Sequence, residues 1–255
     1  MVACLASTCL TNACSSYSSR MDSISQTLEN SHYEARILPT APFPLYTAEP
    51  RMPAPSFPNG GISTVHADSP LTVVIEGDGF AWLNRNTVSD NPTPKNAVGL
   101  AIATHLYAGT PKAGRALYLA RPCQYVWASD CRPYYWTTGR FDDSVLRAMN
   151  DALDRMMAAQ PPAKAKQLHL IGYSGGAYIA LLLAARRTDI AAVTTISGVL
   201  DPQAWTEFHD VSPLRLAQNP EELLMKTQTA RFTHFCGDED AVAPCSLTQD
   251  FVVRA

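Results

Sequence analysis

Gln167-Leu-His-Leu-Ile-Gly-Tyr173 is a short apolar run that passes through Ser174-Gly175-Gly176 into Ala177-Tyr-Ile-Ala-Leu-Leu-Leu-Ala-Ala-Arg-Arg187. The first stretch has the length and bulk of a buried strand, and the last has the length and alanine-leucine content of a helix. Between them, glycines two before and two after Ser174 let strand and helix approach without Cβ collisions and hold the serine on a sharp, strained turn. Such a turn aims the Gly175 N–H and the N-terminus of the helix at one point, where negative charge on an oxygen would be stabilised. Gly-x-Ser-x-Gly by itself recurs in unrelated proteins as a glycine-rich turn. A strand before it and a helix after it set this instance apart.

The same rhythm continues outward. Upstream, Leu71-Thr-Val-Val-Ile-Glu76 is a β-branched run of the kind buried in a parallel sheet, and Arg115-Ala-Leu-Tyr-Leu-Ala120 reads as the next strand. A helix is expected over 97–108. Another is expected over Phe141–Gln160, where Val145, Leu146, Met149, Leu153, Met156 and Met157 recur at helical intervals before Pro161-Pro162 stops it. Downstream, Ile190–Ser197 and Arg231–Cys236 read as strands. Strands alternating with helices predict an α/β fold with a mostly parallel sheet flanked by helices. The proline-rich segment 37–70 is expected to run as edge strands and loops, because proline cannot donate to a central ladder. Residues 15–36 are polar and serine-rich, with Met21, Ile24 and Leu28 at helical spacing and a helix reaching as far as Ala35. A Trp- and Tyr-rich loop spans 122–138.

A chain of 255 residues, 46% of them hydrophobic, is long enough for one such domain. We divide it into a leader, 1–36, and the α/β domain, 37–255. The net charge is −3 with basic residues scattered, which excludes the electrostatic footprint of a nucleic-acid binder. Charged residues make up 17%, and 19 prolines outnumber 13 glycines, a balance that suits a loop-rich exported protein. The seven cysteines fall in three groups, none with the ligand set of a zinc site. Cys123 and Cys131 are either a disulfide closing a short loop, which an oxidising compartment permits, or two buried thiols. Whether Cys236 and Cys245 are bridged is left open. Leu10-Thr-Asn-Ala-Cys14 resembles the tail of a bacterial lipoprotein signal, which would attach the protein to a membrane through a lipidated Cys14. No run of about 18 apolar residues occurs, so no transmembrane helix is expected.

Two further loops follow strands. Glu76-Gly-Asp-Gly-Phe-Ala-Trp82 leaves the first strand with glycines that allow backbone N–H groups at Asp78, Gly79 or Phe80 to turn into a site; the plainer reading is a tight turn with Asp78 as a helix cap. Cys236-Gly-Asp-Glu-Asp-Ala-Val-Ala-Pro244 leaves the last strand as an acidic cluster. With Ala120-Arg-Pro-Cys-Gln-Tyr125, Tyr135-Trp-Thr-Thr-Gly-Arg-Phe141, Leu200-Asp-Pro-Gln-Ala-Trp205 and Val211-Ser-Pro-Leu214, these pieces make the stretch from Leu71 to Pro244 resemble α/β-hydrolase-fold proteins of bacteria, exported enzymes and lipoproteins among them.

That resemblance implies a nucleophile at Ser174 and an oxyanion hole from Gly175 with Asp78 and Gly79, Glu76 standing where the familiar version has histidine. It implies an acid at Asp240, with Asp238 and Asp201 as rivals. The catalytic histidine is the departure. All six histidines, His32, His66, His105, His169, His209 and His234, precede Asp240, and His209 is the one stand-in; His169 and His234 read as hydrogen-bonded strand residues. We therefore expect a truncated serine hydrolase that lacks the last strand, helix and histidine loop and is impaired as it stands. It would cleave esters, thioesters or amides, carboxylic esters first, through an acyl-Ser174 intermediate without metal or organic cofactor. Its partner would be a small-molecule or peptide substrate, and its location the periplasm or outer membrane. The aromatic loop carrying Trp127, Tyr134, Tyr135 and Trp136 would either line the substrate pocket or cap the domain. The alternative is a non-catalytic binding protein of the cell envelope on the same fold.

Overall fold

The sheet is built around its most apolar strands. The structure, a computed structural model, describes residues 7–51, 69–109, 115–160, 167–215, 222–223 and 230–254, with side chains from residue 17 onward. The elements in chain order are α1 (Ser7–Ser31), β1 (Tyr33–Leu38), β2 (Leu45–Pro50), β3 (Leu71–Ile75), β4 (Trp82–Asn84), β5 (Thr87–Val88), α2 (Val98–Gly109) and β6 (Ala116–Leu119). They continue as α3 (Asp143–Ala158), β7 (Leu168–Tyr173), α4 (Gly175–Ala184), β8 (Ile190–Ile196), α5 (Pro202–Phe208), β9 (Arg231–Phe235) and α6 (Cys245–Arg254). Seven strands form one sheet in the order β1-β2-β6-β3-β7-β8-β9, and β4-β5 is a separate small ribbon. From β6 to β9 every pairing is parallel; β1 and β2 add an antiparallel edge.

The two faces of the sheet are read directly from strand alternation. Val73 and Ile75 of β3, Leu117 and Leu119 of β6, and Leu168 and Leu170 of β7 pack with α3 and α4. Their neighbours Val74, Tyr118 and Ile171 point the other way, into a second core with α1 and α2. Every residue of α4 is buried, so this helix needs no polar face. Burial of each of its leucines contributes about 1.5–3 kcal/mol. Helix α3 begins where Asp142 accepts a hydrogen bond from the Ser144 N–H and turns its Val145-Leu146-Met149-Leu153 stripe inward.

Two expectations change. The first helix ends at Ser31 rather than reaching Ala35, because Tyr33 begins an edge strand and its hydroxyl donates into the core to the Ala103 and Ala116 carbonyls. Ile24, Leu28 and Tyr33, all within the expected leader, are buried against α2 and the sheet. Helices α5 and α6 and the β4-β5 ribbon are elements that the sequence pattern did not suggest. Disulfides join Cys123 to Cys131 and Cys236 to Cys245. The signal-like residues 1–6 lie outside the described residues, as does the side chain of Cys14. Among the described residues no helix is long and apolar enough to cross a membrane.

Candidate active site

Ser174 sits between β7 and α4 with φ 51° and ψ −122°, a conformation that costs a residue bearing a Cβ of order 1–3 kcal/mol. The turn is fixed from three sides: the Ser174 N–H donates to the Ile196 carbonyl at 3.0 Å, and the Ser174 carbonyl accepts from Ala177 N–H at 3.0 Å and Val199 N–H at 3.2 Å. The flanking glycines are steric necessities. A Cβ on Gly172 would lie 2.4 Å from the Ala177 Cα, and one on Gly176 would lie 2.4 Å from the Glu76 carbonyl oxygen. The side chain of Ser174 is half-buried, and among the described residues its hydroxyl has no hydrogen-bond partner.

The loop after β3 lies against this turn. Glu76, 1% exposed, accepts from Gly77 N–H with Oε1, and from Gly99 N–H and the Tyr118 hydroxyl with Oε2. Burial raises its pKa, and those hydrogen bonds oppose the rise without cancelling it. Gln124 Nε2 donates to the Gly77 carbonyl at 3.0 Å, pinning the loop from the other side. The Asp78 carboxylate bridges two buried guanidiniums, Arg121 Nη1 at 3.2 Å and Arg140 Nε at 3.3 Å. It occupies the space a Gly175 Cβ would need, 2.2 Å from that position. Loop and turn are thus in contact through Asp78 and Gly175. Of the three loop N–H groups expected to face the site, that of Phe80 is withdrawn, since it donates to the Pro92 carbonyl at 3.0 Å. Asp78 and Gly79 remain, the latter with φ 69°. Nor is Asp78 a helix cap; its carboxylate belongs to the two arginines. Arg121 has a pKa lowered first by burial and further by the charge of Arg140, with Asp78 opposing.

The loop after β9 forms a tight turn. Asp240 Oδ1 accepts from Val242 N–H at 2.8 Å and Ala243 N–H at 2.9 Å. Burial disfavours the ionised form, but these bonds and one from the Ser197 hydroxyl outweigh it and hold the carboxyl below its ordinary pKa. The loops after β7, β8 and β9 leave the same end of these parallel strands, so Asp240 lies at the nucleophile's end of the sheet. Asp238 is exposed. Asp201 caps α5, accepting from Gln203 and Ala204 N–H, and pairs with Arg254 at 2.6 Å. Of the three candidate acids, Asp240 is the one that accepts a hydrogen bond from Ser197.

No described histidine completes the arrangement. His209 is held 2.9 Å from the Val242 carbonyl through Nε2 and packs against Trp205, whose Nε1 donates to the same carbonyl at 2.6 Å. It braces the acid loop, and among the described residues no hydrogen bond joins it to Ser174 or Asp240. His169 and His234 hydrogen-bond to Thr194 and Thr195, as befits strand residues. His105 contacts the Ala101 carbonyl within its own helix. His66 lies outside the described residues.

A cleft of about 940 Å³ opens between these loops, lined among others by Trp82, Thr137, Arg140, Trp205, His209 and Val242. The aromatic loop reaches this cleft through Thr137 and Thr138, while Trp127, Tyr134, Tyr135 and Trp136 are not among its lining residues. Trp136 is buried and donates to the Ser89 carbonyl, Tyr135 packs on Phe43, and Tyr134 donates to Asp142. Arg121 and Arg140 were missed in the sequence because their shared partner, Asp78, is far away in the chain. The signal available was two arginines embedded in apolar and aromatic surroundings, Leu119-Ala-Arg121-Pro and Gly139-Arg140-Phe.

The architecture matches solved structures of one fold. An esterase of Pyrococcus furiosus superimposes with a TM-score of 0.57 at 13% identity, over 89% of this chain and 78% of that one. Est1E from Butyrivibrio proteoclasticus gives 0.53 at 15%, over 86% and 84%. An acylaminoacyl peptidase of Pyrococcus horikoshii gives 0.58 at 12%, over 88% of this chain and 35% of the longer peptidase. No family model and no curated protein matches the sequence. The chain has the α/β-hydrolase fold.

Proposed function

We propose that this protein is a serine hydrolase that forms an acyl intermediate on Ser174. The observation that carries the reading is the strained Ser174 turn with the Asp78 loop held against Gly175. In the proposed reaction the Ser174 hydroxyl adds to an acyl carbonyl, its proton passing through solvent water to the leaving group, and the resulting oxyanion accepts hydrogen bonds from Gly175 N–H and from Asp78 or Gly79 N–H. The intermediate then collapses, the leaving group departs, and water cleaves the acyl-serine. Asp240 is the acid that would orient an imidazolium, a role its hydrogen bonds favour by keeping it ionised.

No described histidine is hydrogen-bonded to Ser174, so we infer slow turnover. Slow general acid catalysis favours esters over amides, since an alkoxide or phenoxide leaves with less help than an amine; carboxylic esters are therefore the proposed substrates. The two disulfides fit an exported protein, and membrane attachment through a lipidated Cys14 is part of the proposal. A second reading, a hydrolase-fold binding protein of the envelope, is favoured by the unpartnered Ser174 hydroxyl. Labelling with a fluorophosphonate probe separates them: adduct on the native protein and none on Ser174→Ala supports the hydrolase, whereas a folded protein that never labels supports the binding protein.

A further inference from the structure

We propose that Gln124 is the positioning residue of the oxyanion hole: its side-chain amide sets the direction in which the Asp78 N–H points. The inference rests on the Ser174 reading and deepens it. Gly77 is the residue of the loop that lies against the nucleophile, since a Cβ placed on it would be 3.2 Å from the Ser174 Cβ and 3.1 Å from the Tyr173 ring. The peptide that follows carries the Gly77 carbonyl and the Asp78 N–H. In a planar trans peptide those two groups point in opposite directions, so holding one aims the other. Gln124 Nε2 donates to that carbonyl at 3.0 Å. The Asp78 N–H is thereby turned away from Gln124, and among the described residues it has no hydrogen-bond partner.

Gln124 is held in one orientation. It is 1% exposed, and its Oε1 accepts from the Arg121 N–H at 3.0 Å. The amide therefore cannot turn over without placing donor against donor at Arg121 and acceptor against acceptor at Gly77. A Cβ on Gly79 would lie 2.6 Å from Gln124 Nε2, so the amide also packs against the far side of the loop. The backbone around it is fixed as well. Gln124 N–H donates to the Arg121 carbonyl, Val126 N–H to the Gln124 carbonyl, and Tyr125 N–H to the Thr93 hydroxyl. The residues on either side, Cys123 and Tyr125, have φ 67° and 64°, a region that side-chain-bearing residues rarely adopt. Such strain persists only where the surroundings impose it, and the Cys123–Cys131 disulfide closes this same turn. The strained turn thus delivers one buried amide to the one carbonyl whose peptide carries the Asp78 N–H.

The test is the saturation kinetics of fluorophosphonate labelling at Ser174, which separate binding of the probe (KI) from the bond-making rate (kinact). Gln124→Glu keeps the size of the side chain and the acceptor for Arg121 N–H, and replaces only the donor to Gly77. Gln124→Met removes both. We expect kinact to fall about tenfold to a hundredfold in each, with KI unchanged within about twofold, because a misaimed donor matters only where charge develops on the phosphoryl oxygen. Ile190→Val lies at the start of β8, the end of the strand away from Ser174; it should lose stability and keep the native kinact. A Gln124→Glu protein that labels with the native kinact, a loss carried by KI, a Gln124→Glu protein that does not fold, or an equal loss in Ile190→Val would each overturn the role of Gln124 and leave Ser174 as the nucleophile. A native protein that gains no adduct would instead sink the Ser174 reading, and this role with it.

Discussion

The two halves of the candidate site are built to different standards. The half between β3 and β7 is buried and over-determined: Glu76 satisfies three donors, Asp78 is gripped by two arginines, and the glycine at 176 lies where no Cβ fits. The half after β8 and β9 is looser. Strand β9 is an edge strand whose alternate residues are exposed, and its acid loop is held by a turn, a disulfide and the Trp205-His209 brace. The difference teaches where the chemistry is already fixed. In the proposed mechanism oxyanion stabilisation would rest on the buried half and proton transfer on the peripheral one, where no described histidine is hydrogen-bonded to Ser174.

The largest effect that would break this contrast is at Gly176. Gly176→Val pushes a side chain into the Glu76 carbonyl and should destabilise the fold by about 3 kcal/mol or more, read as a fall in the urea midpoint. A fall of less than about 0.5 kcal/mol would mean that strand and helix are not in the contact described.

Next comes pH, where the two halves should respond with opposite sign. The folded pKa of Glu76 is raised, so its contribution to stability is full below the ordinary glutamate range and is lost as pH rises through the folded value. The folded pKa of Asp240 is lowered, so its contribution is present above the ordinary aspartate range and is lost as pH falls through the folded value. Denaturation midpoints measured across pH should therefore lose part of their alkaline-side decline in Glu76→Gln and part of their acid-side decline in Asp240→Asn. The same slope in both variants as in the native protein would remove the electrostatic contrast. The smallest effect is at His209. His209→Phe should change the rate of probe labelling at Ser174 by less than about tenfold, against the roughly 10⁶-fold expected for loss of a triad base.

The well-built half was also the legible one. Leu71–Ile75 and Leu168–Tyr173 announce themselves because strands buried on both faces are continuous apolar runs, and the Ser174 turn has steric demands that only small residues meet. The acid loop was legible as a choice among Asp201, Asp238 and Asp240, and only the folded chain shows that Asp201 caps α5, Asp238 is exposed and Asp240 closes a turn of its own. Helix α5 had a readable start, Asp201 as N-cap with Pro202 at the first helical position, but the same aspartate also fitted the pattern of a catalytic acid. Strand β1 was hidden because Tyr33-Glu-Ala-Arg follows a helical segment without proline or glycine to mark the break. The pairing of Asp78 with Arg121 and Arg140 was not legible, although the stretches that carry them stood out, since pairing between distant segments leaves no local periodicity.

The most direct test is the mass of the folded protein after treatment with a fluorophosphonate, with and without imidazole, which can act as an external base. The result expected is a single adduct that maps to Ser174, forms faster with imidazole and is absent from Ser174→Ala. A folded protein that gains no adduct under either condition would contradict the account and leave a binding protein on a hydrolase fold.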